Sequence, residues 1–138
     1  MDFLCLDEPG AHAFPFSHVV VSGDFLFVAG QLAADEPGYS GVDGDIEAET
    51  QIAMERIGRI LRLAGAGFDN IVRVGIFMID LAAFDRMNAV YRRFFAPPHF
   101  PARTCVGVAR LLNGGMIEID CVARLPQTRP AANLSSCA

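Results

Sequence analysis

Arg103 and Glu118 are the two side chains in this sequence best suited to chemistry on a small anion. Arg103 follows Phe100-Pro101-Ala102 and opens a run of strand-forming residues. Its planar guanidinium can hold a carboxylate through two parallel hydrogen bonds. Glu118 lies within Met116-Ile117-Glu118-Ile119, apolar on both flanks. A carboxyl group drawn partly out of water keeps its proton to higher pH and can pass it to or from a bound water or substrate. Both residues also have a structural reading, Arg103 as an ion-pair partner and Glu118 as an edge-strand carboxylate facing water. Cys105 alternates onto the face of Arg103, where it offers backbone groups to a ligand or packs as a small hydrophobe. With no His in the pattern nearby, it is assigned no role as a thiolate nucleophile. Asn88 interrupts an aromatic helical stripe, as a buried structural amide or as a ligand contact. Gly30, before Gln31, marks a close backbone approach or a turn.

Composition narrows the chemistry further. All 11 basic residues are Arg, so a Schiff-base lysine, a pyridoxal-phosphate anchor and a P-loop lysine are excluded. A net charge of -5 with no basic run disfavours a nucleic-acid surface. His12, His18 and His99 are scattered without paired ligands, so no metal is expected and the three are read as surface or loop residues. Cys5, Cys105, Cys121 and Cys137 lack Cys-x-x-Cys spacing and are read as reduced thiols. No apolar run reaches the roughly 18 residues of a membrane span, and residues 1 to 3 do not open a secretory signal, so the expected location is the cytoplasm.

The elements that must position these residues can be read from periodicity and turn chemistry. Residues 18–22 and 25–29 form a hairpin about Gly23-Asp24. Residues 33–45, rich in Gly, Pro and Ser, form a long exposed loop. Asp45 caps an amphipathic helix whose apolar positions are Ile46, Ala53, Ile57, Ile60, Leu61 and Ala64, with Glu49, Glu55, Arg59 and Arg62 on its other side, ending near Gly65 and Gly67. Residues 71–79 form an apolar strand. Asp80 caps a second helix with the stripe Phe84, Asn88, Tyr91, Phe95, stopped by Pro97 and Pro98. Residues 102–111 and 116–125 are strands joined through Asn113-Gly114-Gly115. Residues 1–126 are thus expected to form one α+β domain with both helices on one face of the sheet, and residues 127–138 a flexible tail.

If the last two strands pair about Asn113-Gly114, Ala109 faces Glu118 and Arg103 faces Arg124. Arg103, Cys105 and Glu118 then share one face of the sheet, with Arg103 and Glu118 roughly 20 Å apart along the hairpin. One subunit cannot easily close a small site with both, so the spacing predicts a symmetric oligomer with a site at the subunit boundary.

The motifs Pro15-Phe16-Ser17, Val28-Ala29-Gly30-Gln31, Gly44-Asp45-Ile46-Glu47, Asn88-Ala89-Val90-Tyr91, Pro101-Ala102-Arg103-Thr104-Cys105-Val106 and Ile117-Glu118-Ile119 resemble, in order and spacing from about Pro15 to Arg124, the RidA/YjgF family, also labelled endoribonuclease L-PSP. The resemblance implies a chorismate-mutase-like fold with a mixed sheet, a homotrimer and ligand sites between subunits. It also implies hydrolysis of enamines and imines such as 2-aminoacrylate to 2-keto acids and ammonia, with no cofactor. By this resemblance Arg103 binds the substrate carboxylate, Glu118 handles the attacking water, Cys105 contributes mainly backbone contacts, and Asn88, Phe16, Ala29 and Gly30 line the cleft. Phe16 and Ala29 stand where the family's deaminases commonly carry Tyr and Ser, and Leu111-Leu112 where Leu-Pro is usual. Losing two hydroxyls makes the cleft more apolar, which implies a different or larger substrate, or a branch that binds small carboxylates without efficient turnover. A ribonuclease activity, suggested only by the family's other label, is opposed by the acidic balance.

Overall fold

The computed structural model describes residues 1–41 and 45–127. Six strands form one mixed sheet: β1 (Asp2–Leu4), β2 (Val19–Ser22), β3 (Phe25–Gln31), β4 (Ile71–Met78), β5 (Ala102–Gly107) and β6 (Ile117–Arg124), in the spatial order β1-β2-β3-β6-β4-β5. Two helices, α1 (Ile46–Leu63) and α2 (Phe84–Tyr91), pack together on one face. Residues 42–44, including Gly44 of the expected loop, and the expected tail from 128 onward, with Cys137, lie outside the described residues.

Local chemistry sets the element ends. The Asp45 carboxylate accepts from the Glu47 and Ala48 N–H groups at 3.0 and 3.1 Å, satisfying two of the unpaired donors that open α1. At the other end Gly65 turns at φ +83°, which lets the Ala66 N–H reach back to the Leu61 carbonyl at 2.9 Å. Asp80 caps a 3-10 turn, Leu81–Ala83, that leads directly into α2. The core lies between the helices and the sheet. Val74, Ile76 and Met78 of β4 and Ile117, Ile119, Cys121 and Ala123 of β6 meet Ala53, Ile57, Ile60 and Leu61 of α1 there.

The expected pairing of the last two strands is not formed. Asn113 (φ 55°) and Gly114 (φ 69°) do adopt the left-handed turn that the dipeptide favours. The chain then crosses β4, so that β4 pairs with β5 in parallel on one side and with β6 antiparallel on the other. The strands are also shorter than expected, β5 ending at Gly107 and β6 starting at Ile117. Arg103 lies opposite Val74 and Glu118 opposite Phe77, not opposite Arg124 and Ala109. The reason is burial. Alternate β6 residues are buried along its whole length, as a central strand between two neighbours requires, whereas β5 has exposed Ala102, Thr104, Val106 and Gly107 and suits an edge.

Other expectations also change. Three residues near the N-terminus form β1, which the sequence pattern did not single out, pairing antiparallel with β2. The 33–45 loop opens with a 3-10 turn, Ala33–Asp35, whose Ala33 is fully buried. Glu49 is buried rather than on the polar side of α1, and accepts from the Met116 N–H at 3.0 Å, fixing the entry to β6. His18 is buried rather than at the surface, its Nδ1 accepting from the Leu6 N–H at 2.9 Å.

The sheet face away from the helices carries one row that is apolar except for Arg73. Cross-strand partners share a face, and Phe3, Val20, Phe27, Val122, Arg73 and Ala102 are successive partners across all six strands. Phe3 is 63% exposed and Phe27 48%.

Candidate functional site

The residues singled out by sequence fall into two groups on opposite faces of the sheet. Val74 and Ile76, the β4 partners of Arg103 and Cys105, point into the core, so Arg103 and Cys105 take the helix side. Glu118 lies between Ile117 and Ile119, both buried on the helix side, and so takes the open face. The expectation that all three share a face is overturned, because it depended on a direct β5–β6 pairing. With three residues along β4 and two strand spacings between them, the Cα atoms of Arg103 and Glu118 are roughly 14 Å apart.

The Arg103 group is built by α2. Steps of four and three place Phe84, Asn88 and Tyr91 on one helix face. The Arg103 guanidinium donates to Asn88 Oδ1 at 2.7 Å and lies 4.8 Å from the Tyr91 ring centroid and 5.4 Å from that of Phe84. Two ring faces and one amide oxygen hold the cation in place without neutralising it. Among the described residues no carboxylate lies within ion-pair distance of Arg103. It faces a cleft of about 230 Å³ lined by Asn88, Tyr91, Arg92, Phe100 and Pro101. Such a cleft, with a fixed cation and apolar walls, suits the carboxylate of a small molecule. Burial pushes the Cys105 thiol up, although Arg103 opposes this, and its sulfur rests 3.7 Å from that of Met78. It sits there as a thiol, not as a thiolate. Burial likewise pushes the Tyr91 phenol up to about 12.

The Glu118 group is built by a bulge in β3. Val28 pairs with Cys121 and Gln31 with Ile119, so Ala29 and Gly30 together oppose Asp120. The extra residue turns Gln31 into the core and brings the Gly30 backbone beneath the Glu118 side chain. A Cβ at Gly30 would collide with the Glu118 carboxyl group, its carbon lying 2.9 Å away. Burial pushes the Glu118 carboxyl up, and the nearby carboxylates of Asp35 and Asp120 add to the effect. Its proton is therefore held to higher pH than usual, as suits an acid/base group. Ala29 donates its N–H to the His18 carbonyl at 2.9 Å, and Phe16 is exposed with its ring 6.0 Å from that of His18, so both approach from this end of the sheet. Cys5, Cys105 and Cys121 are free thiols.

One cluster escaped the sequence reading. Arg56, fully buried, donates to Glu8 at 2.6 Å, to Glu36 at 2.9 Å and through Nε to Gln31 at 2.9 Å, while Arg59 also pairs with Glu36. The cluster ties the N-terminal segment, the loop after β3 and the bulge itself to α1. A signal was present, since Ala53, Arg56, Ile57 and Ile60 lie at helical spacing on the buried stripe and an Arg there needs buried partners.

Comparison with known proteins agrees with this architecture. The family described as Endoribonuclease L-PSP matches residues 6–125. A RutC family protein of Synechocystis is 37% identical over 113 residues, covering 81% of this chain and 87% of the relative. The human 2-iminobutanoate/2-iminopropanoate deaminase is 34% identical over 115 residues, covering 83% and 82%. The crystal structure of RidA from an Antarctic Psychrobacter superposes with a TM-score of 0.81 at 27% identity, covering 91% of this chain and all of the other. On sequence and fold together, the chain belongs to the endoribonuclease L-PSP family, whose solved structures include RidA and YjgF.

Proposed function

We propose that this chain hydrolyses reactive 2-imino and 2-enamino acids to a 2-keto acid and ammonia. The observation that carries the reading is the Arg103 cation, held by Asn88 and two rings and facing a small cleft, with no carboxylate among the described residues to pair with it. Relatives at about 35% identity that bear the name of such deaminases support the same chemistry. In the proposed reaction Arg103 fixes the substrate carboxylate. A water oxygen bonds to the imine carbon while the Glu118 carboxylate takes the water's proton. Glu118 returns that proton to nitrogen as the carbon–nitrogen π pair moves there, giving a carbinolamine. Glu118 then carries the hydroxyl proton to nitrogen, the carbon–oxygen double bond forms as the carbon–nitrogen bond breaks, and ammonia leaves a 2-keto acid behind.

Because Arg103 and Glu118 face opposite ways, one copy of the chain cannot bring both to one small substrate. The reading therefore includes a homotrimer in which Arg103 of one copy meets Glu118 of the next, with the exposed row of Phe3 and Phe27 covered by neighbours. Ammonia and keto-acid release from enzymatically generated 2-iminobutanoate tests the chemistry. Arg103→Ala should abolish the acceleration, and equal rates for the variant and the parent would refute the assignment. Light scattering should give three times the 14.9 kDa chain mass. A second reading, carboxylate binding without turnover, is favoured by Phe16 and Ala29, which bring no hydroxyl to the Glu118 group. Arg103-dependent binding with no ammonia release would select it.

A further inference from the structure

The Arg103 cleft has a larger neighbour. Phe100 and Pro101 line the first, and the same two residues line the second, a cleft of about 620 Å³ whose walls include Phe68, Phe94, Phe95 and His99. Aromatic contacts run continuously from one to the other. Tyr91, which carries the Arg103 cation, lies 4.9 Å from Phe95; Phe95 meets Phe100 edge-on at 6.1 Å and Phe68 at 6.2 Å; and Phe68 lies 5.1 Å from Phe94.

We infer that the substrates are 2-imino acids bearing an aromatic side chain, whose carboxylate is held at Arg103 and whose ring lies across Phe100 among Phe68, Phe94 and Phe95. This rests on the deaminase reading and adds the substrate class. A molecule with a one- or two-carbon side chain would occupy only the smaller cleft and leave the aromatic walls wet. The two clefts together fall in the range of roughly 300–1,000 Å³ typical of sites that enclose larger ligands. Ring edges and faces presented at T-shaped and tilted angles favour another ring over an aliphatic chain. Asp69, exposed on the rim of the larger cleft, disfavours a second carboxylate there, so the side chain is uncharged or carries a hydrogen-bond donor.

The keto-acid products provide a test that does not need turnover. Calorimetry with phenylpyruvate and 2-ketobutyrate should show phenylpyruvate binding at least about tenfold more tightly, with both lost in Arg103→Ala. Phe100 is 43% exposed, so Phe100→Ala should fold, and it should cut the phenylpyruvate preference about tenfold. Imines generated from phenylalanine and from 2-aminobutyrate by an amino acid oxidase should show the same order in kcat/KM. Equal affinities, tighter 2-ketobutyrate binding, or a preference unchanged in Phe100→Ala would overturn the inference while leaving the Arg103 assignment standing. Aromatic preference without ammonia release would keep the aromatic side-chain class of the ligand and remove the deaminase reading instead. Keto-acid binding that survives Arg103→Ala would overturn both.

Discussion

Replacing Arg56 with Met removes a charge while keeping most of the side-chain volume, and its effect follows from the partners left behind. Glu8 is the critical one. Its side chain is 12% exposed and receives two guanidinium bonds, and the His18 Nε2, 3.9 Å away, can pair with it only when protonated. Gln31, 1% exposed, also loses its charged donor. Glu36 is 31% exposed and keeps Arg59, so solvent and that partner absorb most of its loss. Breaking a buried pair from one side typically costs about 3–5 kcal/mol. The relief at Glu36 places this variant near the lower figure. At roughly 3–5 °C per kcal/mol for a domain of this length, Arg56→Met should lower the melting temperature by about 10–15 °C. Urea unfolding at fixed protein concentration, with an unchanged m value, is the assay. Adding Glu8→Leu should recover most of the loss, because the penalty lies in the stranded carboxylate and not in the missing attraction. A single-variant loss under about 1 kcal/mol, or no recovery in the double variant, would refute the reasoning.

Three further perturbations probe other parts of the structure. Burial lowers the His18 pKa below 6.5, so the unfolded chain takes the proton first as pH falls; stability should be full above pH 6.5 and decline below it, by up to about 1.4 kcal/mol per pH unit. His18→Gln keeps an acceptor for Leu6 but cannot titrate, and should flatten that slope in pH-dependent urea melts. Gly30→Ala drives a methyl group into the Glu118 carboxyl group and should cut imine hydrolysis by about a hundredfold, with keto-acid binding at Arg103 retained. Phe27→Asp places a charge in the middle of the exposed sheet row and should yield a species of lower mass on light scattering and loss of hydrolysis together; an intact trimer would count against burial of that face.

Much of the fold was legible because it is written in local chemistry. Asp45 and Gly65 bound α1, Gly23-Asp24 turns the first hairpin, and the Phe84-Asn88-Tyr91 stripe defines the face of α2 that cradles Arg103. Each is decided by residues within one or two turns of each other, which is the range over which capping, turn preference and periodicity act. Family membership was legible too, since the motifs around Arg103 and Glu118 keep their order and spacing.

Strand adjacency was not. Asn113-Gly114 makes the left-handed turn its sequence calls for, but a turn fixes the direction of the chain over a few residues and cannot choose which strand the next one will pair with. That choice was made by burial along the full length of β6, a property of the assembled sheet. With it went the side of the sheet on which Glu118 stands, because strand alternation leaves the absolute face undetermined until a neighbour is assigned. The buried environment of Arg56 was likewise settled in three dimensions, where the N-terminal segment, the loop after β3 and the β3 bulge converge on one guanidinium from places distant in sequence. Sequence alone singled out Arg103 and Glu118 as the side chains suited to the proposed chemistry. Tertiary structure decided that Arg103 and Glu118 face opposite ways, because the pairing that sets their faces joins strands separated by a crossover.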